Sequence, residues 1–173
     1  PDVRKSLREI AVKSVGMPGF PMAGGLPPGL EHTAYFTPKQ SVYSNGTHVA
    51  EVEVDIETGA VRILRFTVAH DCGRVINPMI VDGQIVGGVA HGIGNALFER
   101  MVYDDNAQPV STNFGEYLLP LATDVPHVDL VHLETPSPLN PLGLKGAGEG
   151  GTIGSIAAII GAVENALAPF GVT

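Results

Sequence analysis

The chain has 173 residues, of which 44 % are hydrophobic and 16 % charged, a composition that can bury a core and argues against disorder. Eighteen acidic residues against ten basic ones give a net charge of −8, the wrong sign for a nucleic-acid binder. No apolar run approaches the roughly 20 residues of a membrane-spanning helix, so we expect no membrane span. The single cysteine, Cys72, excludes an internal disulfide and favours a cytoplasmic location.

The N-terminal region is predicted to hold one helix followed by a covering loop. Apolar or small residues recur on one helical face between positions 2 and 15, and Gly16 can end the helix. That face comprises Val3, Leu7, Ile10, Ala11 and Ser14. The proline- and glycine-rich stretch that follows is predicted to cover the domain, so residues 1–30 form one subregion. Because the chain begins with Pro1 rather than Met, we expect it to be a piece of a longer chain.

The rest of the chain alternates strand pairs with helices. Two strands are predicted within 48–73 around a Glu57-Thr58-Gly59 turn, a second hairpin around 104–108, and another strand at 127–134. Helices are predicted at 80–100, after Asn77-Pro78, and at 152–168. The last helix is expected to pack on the sheet through Ile153, Ile156, Ile160, Val163 and Leu167. This order predicts an α+β fold: hairpin-linked strands in mixed or antiparallel sheets against a long glycine-rich helix and a C-terminal helix.

The glycine-rich segment "GAGEGG", residues 146–151, carries the acidic residue Glu149 at its centre. It satisfies G-x-G-x-x-G, yet no strand is predicted before it and no Lys-Ser/Thr follows it, so a nucleotide-binding module is the least favoured interpretation. Glu149 could be an acid that the helix dipole favours at a helix start. Alternatively, the glycines clear space for a ligand, and a confined carboxylate there suits a general base near neutral pH. The residues alone leave both open.

The predicted helix 80–100 is unusual because it contains five glycines, each costing roughly 0.5–1 kcal/mol relative to alanine. Four of its residues share one narrow stripe: Gln84, Gly88, His91 and Asn95. The stripe is either a solvated edge or a hydrogen-bonding edge for a planar, polar ligand. His91 has no second ligand at the usual short spacing, so no metal ligand is predicted in this chain.

Two long segments together resemble a known family. They are "DCGRVINPMIVDGQIVGGVAHGIGNALFERMVYD" and, further on, "TPSPLNPLGLKGAGEGGTIGSIAAIIGAVENAL". This pair resembles the C-terminal part of the large, molybdenum-cofactor-binding subunit of the xanthine dehydrogenase/aldehyde oxidase family, in the carbon monoxide dehydrogenase large-subunit-like branch. The resemblance implies that residues 1–173 are the C-terminal portion of a molybdopterin-binding domain. The N-terminal remainder of that large subunit is then a partner.

The resemblance also implies an activity, a molybdenum hydroxylase that oxidises a small aldehyde, an N-heterocycle or a CO-like substrate with water-derived oxygen. Glu149 matches the active-site base of the family. The positions that match its cofactor-binding motifs are Gln84, Gly87, Gly88, His91, Lys145, Gly146 and Gly148. His91 stands where the family usually has glutamine, which leaves open a non-catalytic assembly domain of a degenerate member.

Further expectations follow from the same resemblance. The cofactor is a molybdenum-pterin in its cytosine dinucleotide form, shared with absent parts of the large subunit. FAD and 2Fe-2S clusters are expected on flavin and iron–sulfur partner subunits. Cys72 matches a family residue that is not a metal ligand, and we expect it to be buried and inert. The isolated chain is expected to be inactive.

Overall fold

The computed structural model describes residues 4–15 and 28–172, which fall into two compact units, Pro1–Thr37 and Pro38–Thr173. The first unit contains helix α1, Leu7–Ser14. Ser6 starts the helix with a capping box, in which its Oγ accepts the Glu9 N–H and the Glu9 carboxylate accepts the Ser6 N–H. The helix therefore begins later than predicted. Val3, Gly16 and most of the predicted covering loop lie outside the described residues.

The apolar face predicted for α1 is not buried. The Leu7 side chain is 78 % exposed and Ile10 is also exposed, while Ser14 is the buried residue of the helix. An eight-residue helix gains little stability from its own hydrogen bonds, so such a face normally needs a packing partner. In this structure Leu7 and Ile10 of that face are thus left exposed.

The second unit is built on one three-stranded sheet. Strands β1 (Asn45–Val54) and β2 (Val61–Asp71) form the predicted antiparallel hairpin, and Gly59 adopts φ +73° in its turn. Strand β3, Val128–Leu133, pairs with β2 in parallel, so the strand order is β1-β2-β3. The sheet is thus mixed, and the predicted α+β class is confirmed.

A β-bulge decides which side chains of β2 enter the core. The register shifts between Glu51 and Val52 of β1, because Leu64 of β2 is an extra residue without a partner. An unbroken alternation from Val61 and Ile63 would have turned Arg65 inward. With the bulge, Phe66, Val68 and His70 are buried instead, and Arg65 stays exposed.

The glycine-rich helix α2 spans Pro78–Leu97, close to the prediction. Asn77 caps it by accepting the Ile80 N–H at 3.3 Å, and Pro78 fits the first turn, where no intrahelical acceptor is lost. Its buried side chains Ile85, Val89 and Ile93 meet side chains from all three strands and from the last helix. The fully formed core consists of Phe66, Val68, Ile85, Val89, Ile93, Val128 and Ile159.

Helix α3 spans Gly150–Leu167 and continues into a short 3₁₀ turn, Ala168–Phe170. It packs on the sheet through β1, as predicted. The predicted face is wrong in part, because Ile153 is 72 % exposed and Ile160 is 44 % exposed, whereas Ile156, Val163 and Leu167 are half-buried. The buried residues are Gly151, Ser155 and Ile159, spaced one turn apart. Gly151 and Ser155 are small, so the backbone of α3 can approach α2 closely. This contact uses the small residues of α3, whereas the apolar pattern had predicted contacts through its large ones.

Glycines on both helices make this approach possible. A Cβ added to Gly88 would lie 2.8 Å from the Gly151 Cα, and one added to Gly92 would lie 2.5 Å from the Ser155 Cβ. A Cβ on Gly151 would lie only 2.2 Å from the Ile85 carbonyl oxygen, which is backbone and cannot rotate away. The unfavourable helix propensity of these glycines is therefore offset by tight helix packing.

Replacing Gly151 by alanine is expected to lower the free energy of unfolding by about 1–3 kcal/mol through overpacking against α2. Gly161 of the same helix is the matched control, since a Cβ there meets nothing within 4 Å. Its alanine variant should be stabilised by up to about 1 kcal/mol through helix propensity. Urea unfolding of both variants measures the difference, and equal stabilities would contradict the tight α2–α3 contact.

The second hairpin predicted around 104–108 is present in a minimal form. The Val110 N–H donates to the Val102 carbonyl at 2.8 Å and the Asp104 N–H to the Gln108 carbonyl at 2.9 Å, on either side of an antiparallel bridge between Tyr103 and Pro109. Asp104 holds the turn by accepting the N–H groups of Asn106 and Gln108.

One segment departs from the expectation that no apolar run approaches membrane-spanning length: Gly150–Phe170 is long and apolar enough to cross a membrane by length and composition alone. In this structure α3 packs on α2 and β1.

Candidate active site

The loop that precedes α3 is fastened to the end of β2. The Lys145 N–H donates to the Cys72 carbonyl at 2.8 Å, and Leu144 forms an antiparallel bridge with Gly73. Gly73 itself has φ +70°, and a Cβ there would lie 2.2 Å from the Gly143 carbonyl oxygen. This contact fixes where the glycine-rich segment leaves the sheet and turns into the helix.

Glu149 is the N-cap residue of α3, but its side chain does not cap the helix. Its carbonyl accepts the N–H groups of Thr152 and Ile153 at 3.0 and 3.2 Å. Its carboxylate is exposed, and among the described residues no hydrogen bond or ion pair engages it. Glu149 is thus an acid at the helix start, where the helix dipole favours negative charge, without a side-chain cap. The described residues do not enclose the carboxylate either.

Lys145 forms a buried ion pair with Asp71. Its Nζ lies 3.1 Å from an Asp71 carboxylate oxygen and donates to the Thr135 Oγ1 at 2.6 Å. Asp71 also accepts the Thr135 hydroxyl and the N–H groups of Gly73 and Thr135. The hydroxyl of Thr135, more than any other group, holds the pKa of Asp71 well below its usual range. In this structure Lys145 anchors the loop, and its cofactor contact stays a prediction.

The polar stripe of α2 lies next to the start of α3. Gln84, His91 and Asn95 are exposed, while Gly88 is partly covered. Because Gly88 packs against the backbone of Gly151 and Thr152, α3 begins beside this stripe. The structure therefore brings together two features that lie some sixty residues apart in the sequence: the glycine loop with Glu149, and the stripe.

Four glycines around this junction face open space. A Cβ added at Gly83, Gly87, Gly146 or Gly148 would meet no atom within 4 Å. At Gly83 and Gly87, inside a helix, alanine would be more stable and no contact of the described residues forbids it. Glycines without neighbouring atoms leave a surface free of side chains, and exposed amide and imidazole groups beside it can donate hydrogen bonds. A planar, polar group such as a pterin needs both features. The residues of this face therefore fit the cofactor that the resemblance implies.

Two histidines on the hairpin were given no role by the sequence analysis, yet they contact the same helix start. His48 Nε2 lies 3.0 Å from the Gly150 carbonyl oxygen, and its Nδ1 lies 3.2 Å from the Ser155 Oγ. His70 is 1 % exposed, and neither of its ring nitrogens has a hydrogen-bond partner among the described residues. Burial is the main cause that lowers the pKa of each imidazole. Both rings line a cavity of about 160 Å³ with Gly150 and Gly154.

Cys72 is buried, as predicted, and burial raises the pKa of its thiol, which keeps it protonated and unreactive. Within residues 4–15 and 28–172, no three His, Cys, Asp or Glu side chains come together as ligands for a metal ion. The exposed polar side chains at the α2–α3 junction are Gln84, His91 and Asn95, which carry hydrogen-bond donors, and Glu149, which carries a carboxylate.

The fold and this junction define a cofactor-binding domain with an acid at a helix start. A family model of the molybdopterin cofactor-binding domain matches residues 3–126, and the chain belongs to that family, as a part of the molybdenum-cofactor-binding large subunit of the xanthine oxidase family. The chain is 44 % identical over 147 residues to the nicotine 6-hydroxylase large subunit of Paenarthrobacter nicotinovorans. It is 37 % identical over 169 residues to the carbon monoxide dehydrogenase large chain of Hydrogenophaga pseudoflava.

A solved structure supports the same assignment. Quinoline 2-oxidoreductase from Pseudomonas putida 86 superposes with a TM-score of 0.81 at 47 % identity, over 87 % of this chain. The matches cover 85 % and 98 % of this chain for the two large subunits named above. The chain spans only about a fifth of the length of these relatives, 18–20 %.

Proposed function

We propose that this chain supplies part of the cofactor pocket of a molybdenum hydroxylase, with Glu149 as the active-site base. The observation that carries the proposal is the junction of the two helices. Glu149 stands at the start of α3, its carboxylate engaged by no described residue, beside a polar stripe flanked by open glycines. A base must reach the proton that it removes, and small neighbours leave room for substrate and cofactor.

Each residue of the junction then has a task that its chemistry allows. Gln84 and His91 would donate hydrogen bonds to the pterin, and His91 can donate one such bond where an amide would offer two hydrogens. Gly87, Gly88, Gly146 and Gly148 would keep the approach flat. Lys145 holds the loop through Asp71, and the Glu149 carboxylate accepts a proton during turnover. When bound, the molybdenum cofactor supplies the two-electron oxidation.

The finer assignments rest on the relatives. Two of them are named for nicotine and quinoline, both of which contain an aromatic nitrogen ring, and one for carbon monoxide. We therefore favour an N-heterocycle as substrate over an aldehyde or a CO-like molecule. The cytosine dinucleotide form of the pterin, FAD and 2Fe-2S clusters on partner subunits, and a cytoplasmic location are parts of the same proposal.

The N-terminal remainder of the large subunit is the proposed partner of the exposed apolar surface. Only 11 % of the most apolar 18-residue stretch within Gly150–Phe170 is buried in this structure. Apolar surface of this extent is typical of an interface rather than of a free surface. The same remainder would enclose Glu149, which this chain leaves exposed.

Replacing Gly87 by leucine tests the cofactor face. The variant should raise the stability of α2 by about 0.5–1 kcal/mol, because leucine is a much better helix former than glycine. In the complete large subunit it should lower the molybdenum and pterin content, since the side chain would occupy the space assigned to the cofactor. Gly161→Ala is the control, because it adds only a methyl group to an exposed α3 glycine and should gain stability without losing molybdenum.

Metal analysis of the purified complex separates the outcomes. Full molybdenum content in the Gly87→Leu variant would contradict the assignment of this face to the cofactor. A wild-type complex that assembles without molybdenum would instead support the non-catalytic assembly domain, the alternative favoured by His91 at the position where a glutamine is usual in the family.

A further inference from the structure

The start of α3 rests on two imidazole rings from the hairpin. A Cβ added to Gly150 would lie 2.4 Å from the His70 Cε1, and one added to Gly154 would lie 2.5 Å from the His48 Cδ2. The rings therefore occupy the volume that side chains of α3 would otherwise fill. The edge of one ring meets Phe66 of the core, with centroids 6.0 Å apart at 83°, which holds His48 in a defined orientation.

The hydrogen bonds of His48 define its tautomer. A carbonyl oxygen can only accept, so the 3.0 Å contact with Gly150 requires a proton on Nε2. Burial keeps the ring neutral by lowering its pKa, which leaves Nδ1 as an acceptor. The Ser155 hydroxyl proton then has two acceptors in reach, Nδ1 at 3.2 Å and the Gly151 carbonyl at 2.6 Å. That hydroxyl has one proton and the Gly151 carbonyl is the nearer acceptor, so the bond to the Gly150 carbonyl is what ties His48 to α3.

We propose that His48 is a positioning residue for Glu149. Its Nε2–H holds the carbonyl of the residue that directly follows Glu149, and so fixes the first turn of α3 and the direction in which the Glu149 carboxylate leaves it. The hairpin is in this way mechanically connected to the active-site base, although no hairpin residue need touch substrate or cofactor. The catalytic part of this inference rests on the proposed function, whereas the structural part does not.

Two substitutions distinguish the two ring nitrogens. Glutamine carries its amide nitrogen the same number of bonds from Cα as Nε2, whereas the asparagine amide matches Nδ1. His48→Gln can keep the bond to the Gly150 carbonyl, and His48→Asn cannot reach it. His127, whose side chain is 90 % exposed before β3, offers the matched control His127→Asn.

The experiment compares these variants in the complete large subunit within its complex. In His48→Asn, amide hydrogen exchange at Thr152 and Ile153 should quicken by about fivefold, the value of one hydrogen bond. The kcat should fall about tenfold to a hundredfold with KM and molybdenum content unchanged, because a base displaced by about 1 Å loses rate rather than binding. In His48→Gln, the exchange rates and kcat should both return most of the way to the wild-type values. His127→Asn should change neither the exchange rates nor kcat.

Equal exchange rates in the asparagine and glutamine variants would overturn the proposal. If His48→Asn fails to fold, Gly154→Ala tests the same contact from the other side, because its Cβ must displace the His48 ring. Unchanged exchange at Thr152 and Ile153 in that variant would also overturn it. A Glu149→Gln enzyme with normal turnover would remove the proposed function, yet the exchange measurements would still decide whether His48 fixes the helix start.

Discussion

Glutamine in place of Glu149 is expected to lower turnover by about 10²–10⁴-fold while the complex keeps its molybdenum. Glutamine has nearly the shape of glutamate but cannot accept a proton at neutral pH, so the variant removes the base and little else. Since the carboxylate makes no hydrogen bond to described residues and does not cap α3, its loss should not change stability. Steady-state rates with an N-heterocycle, an aldehyde and carbon monoxide, alongside metal analysis, provide the measurement.

Glu164 of the same helix provides the control for this experiment. It is exposed near the other end of α3, and Glu164→Gln should leave turnover unchanged. Near-normal activity in the Glu149 variant, at full molybdenum content, would end the assignment of Glu149 as the base. Loss of molybdenum together with activity would instead move Glu149 from catalysis to cofactor binding.

Asparagine in place of Asp71 is expected to destabilise the domain by about 3–5 kcal/mol, because it leaves the buried Lys145 ammonium without its counter-ion. The Asp71 side chain is 4 % exposed and that of Lys145 is 12 % exposed, so water can compensate little. Lys145→Met should cost less, about 1–3 kcal/mol, since the carboxylate keeps the Thr135 hydroxyl and two N–H donors. Urea unfolding measures both variants.

Asp71 also predicts a pH dependence with a definite sign. Hydrogen bonds, first that from the Thr135 hydroxyl, lower the pKa of Asp71 in the folded state. The stabilisation is therefore complete above the unfolded pKa of about 3.9 and is lost as the pH falls from there towards the lower folded pKa. In the Asp71→Asn variant, this acid-induced loss of unfolding free energy should be missing from urea unfolding measured from about pH 5 down to about pH 2.

Asp129 supplies the control for Asp71. It pairs with Arg65 at 2.8 Å on the sheet surface, where both side chains are substantially exposed. An exposed pair of this kind contributes about 0–1 kcal/mol, so Asp129→Asn should have a small effect. Similar losses in the Asp71 and Asp129 variants would show that the Asp71–Lys145 pair does not hold the loop.

Local sequence signals predicted most elements of the second unit. The Glu57-Thr58-Gly59 turn, the Asn77-Pro78 helix start and the period-two pattern of 127–134 are short-range features, and each corresponds to an observed element. The second hairpin around 104–108 is reduced to a single bridge between Tyr103 and Pro109. The two long motifs carry enough family-specific sequence to indicate the domain type without its fold.

The site was predictable in part. The motifs drew attention to Glu149 and to the stripe on α2, but their adjacency depends on Gly88 meeting Gly151, a contact between distant segments. The role of Lys145 in an ion pair with Asp71, 74 residues away in sequence, left no local signal. His70 was missed because the bulge at Leu64 sets which residues of β2 face inward, and a bulge shifts the alternation by one residue. His48 lies on β1, and its contacts with Gly150 and Ser155 join segments more than 100 residues apart in the sequence.

The sequence by itself determined the class of fold, the starts of α2 and α3, the turn of the first hairpin and the acid in the glycine-rich segment. Each of these local features depends on neighbours within a few residues. Tertiary structure decided which face of α3 is buried. The apolar pattern favoured Ile153 and Ile160, yet Gly151 and Ser155 face α2, since close packing of two helix backbones rewards the absence of side chains. The apolar pattern of α3 alone cannot predict this contact, because glycines of α2 provide the space for it.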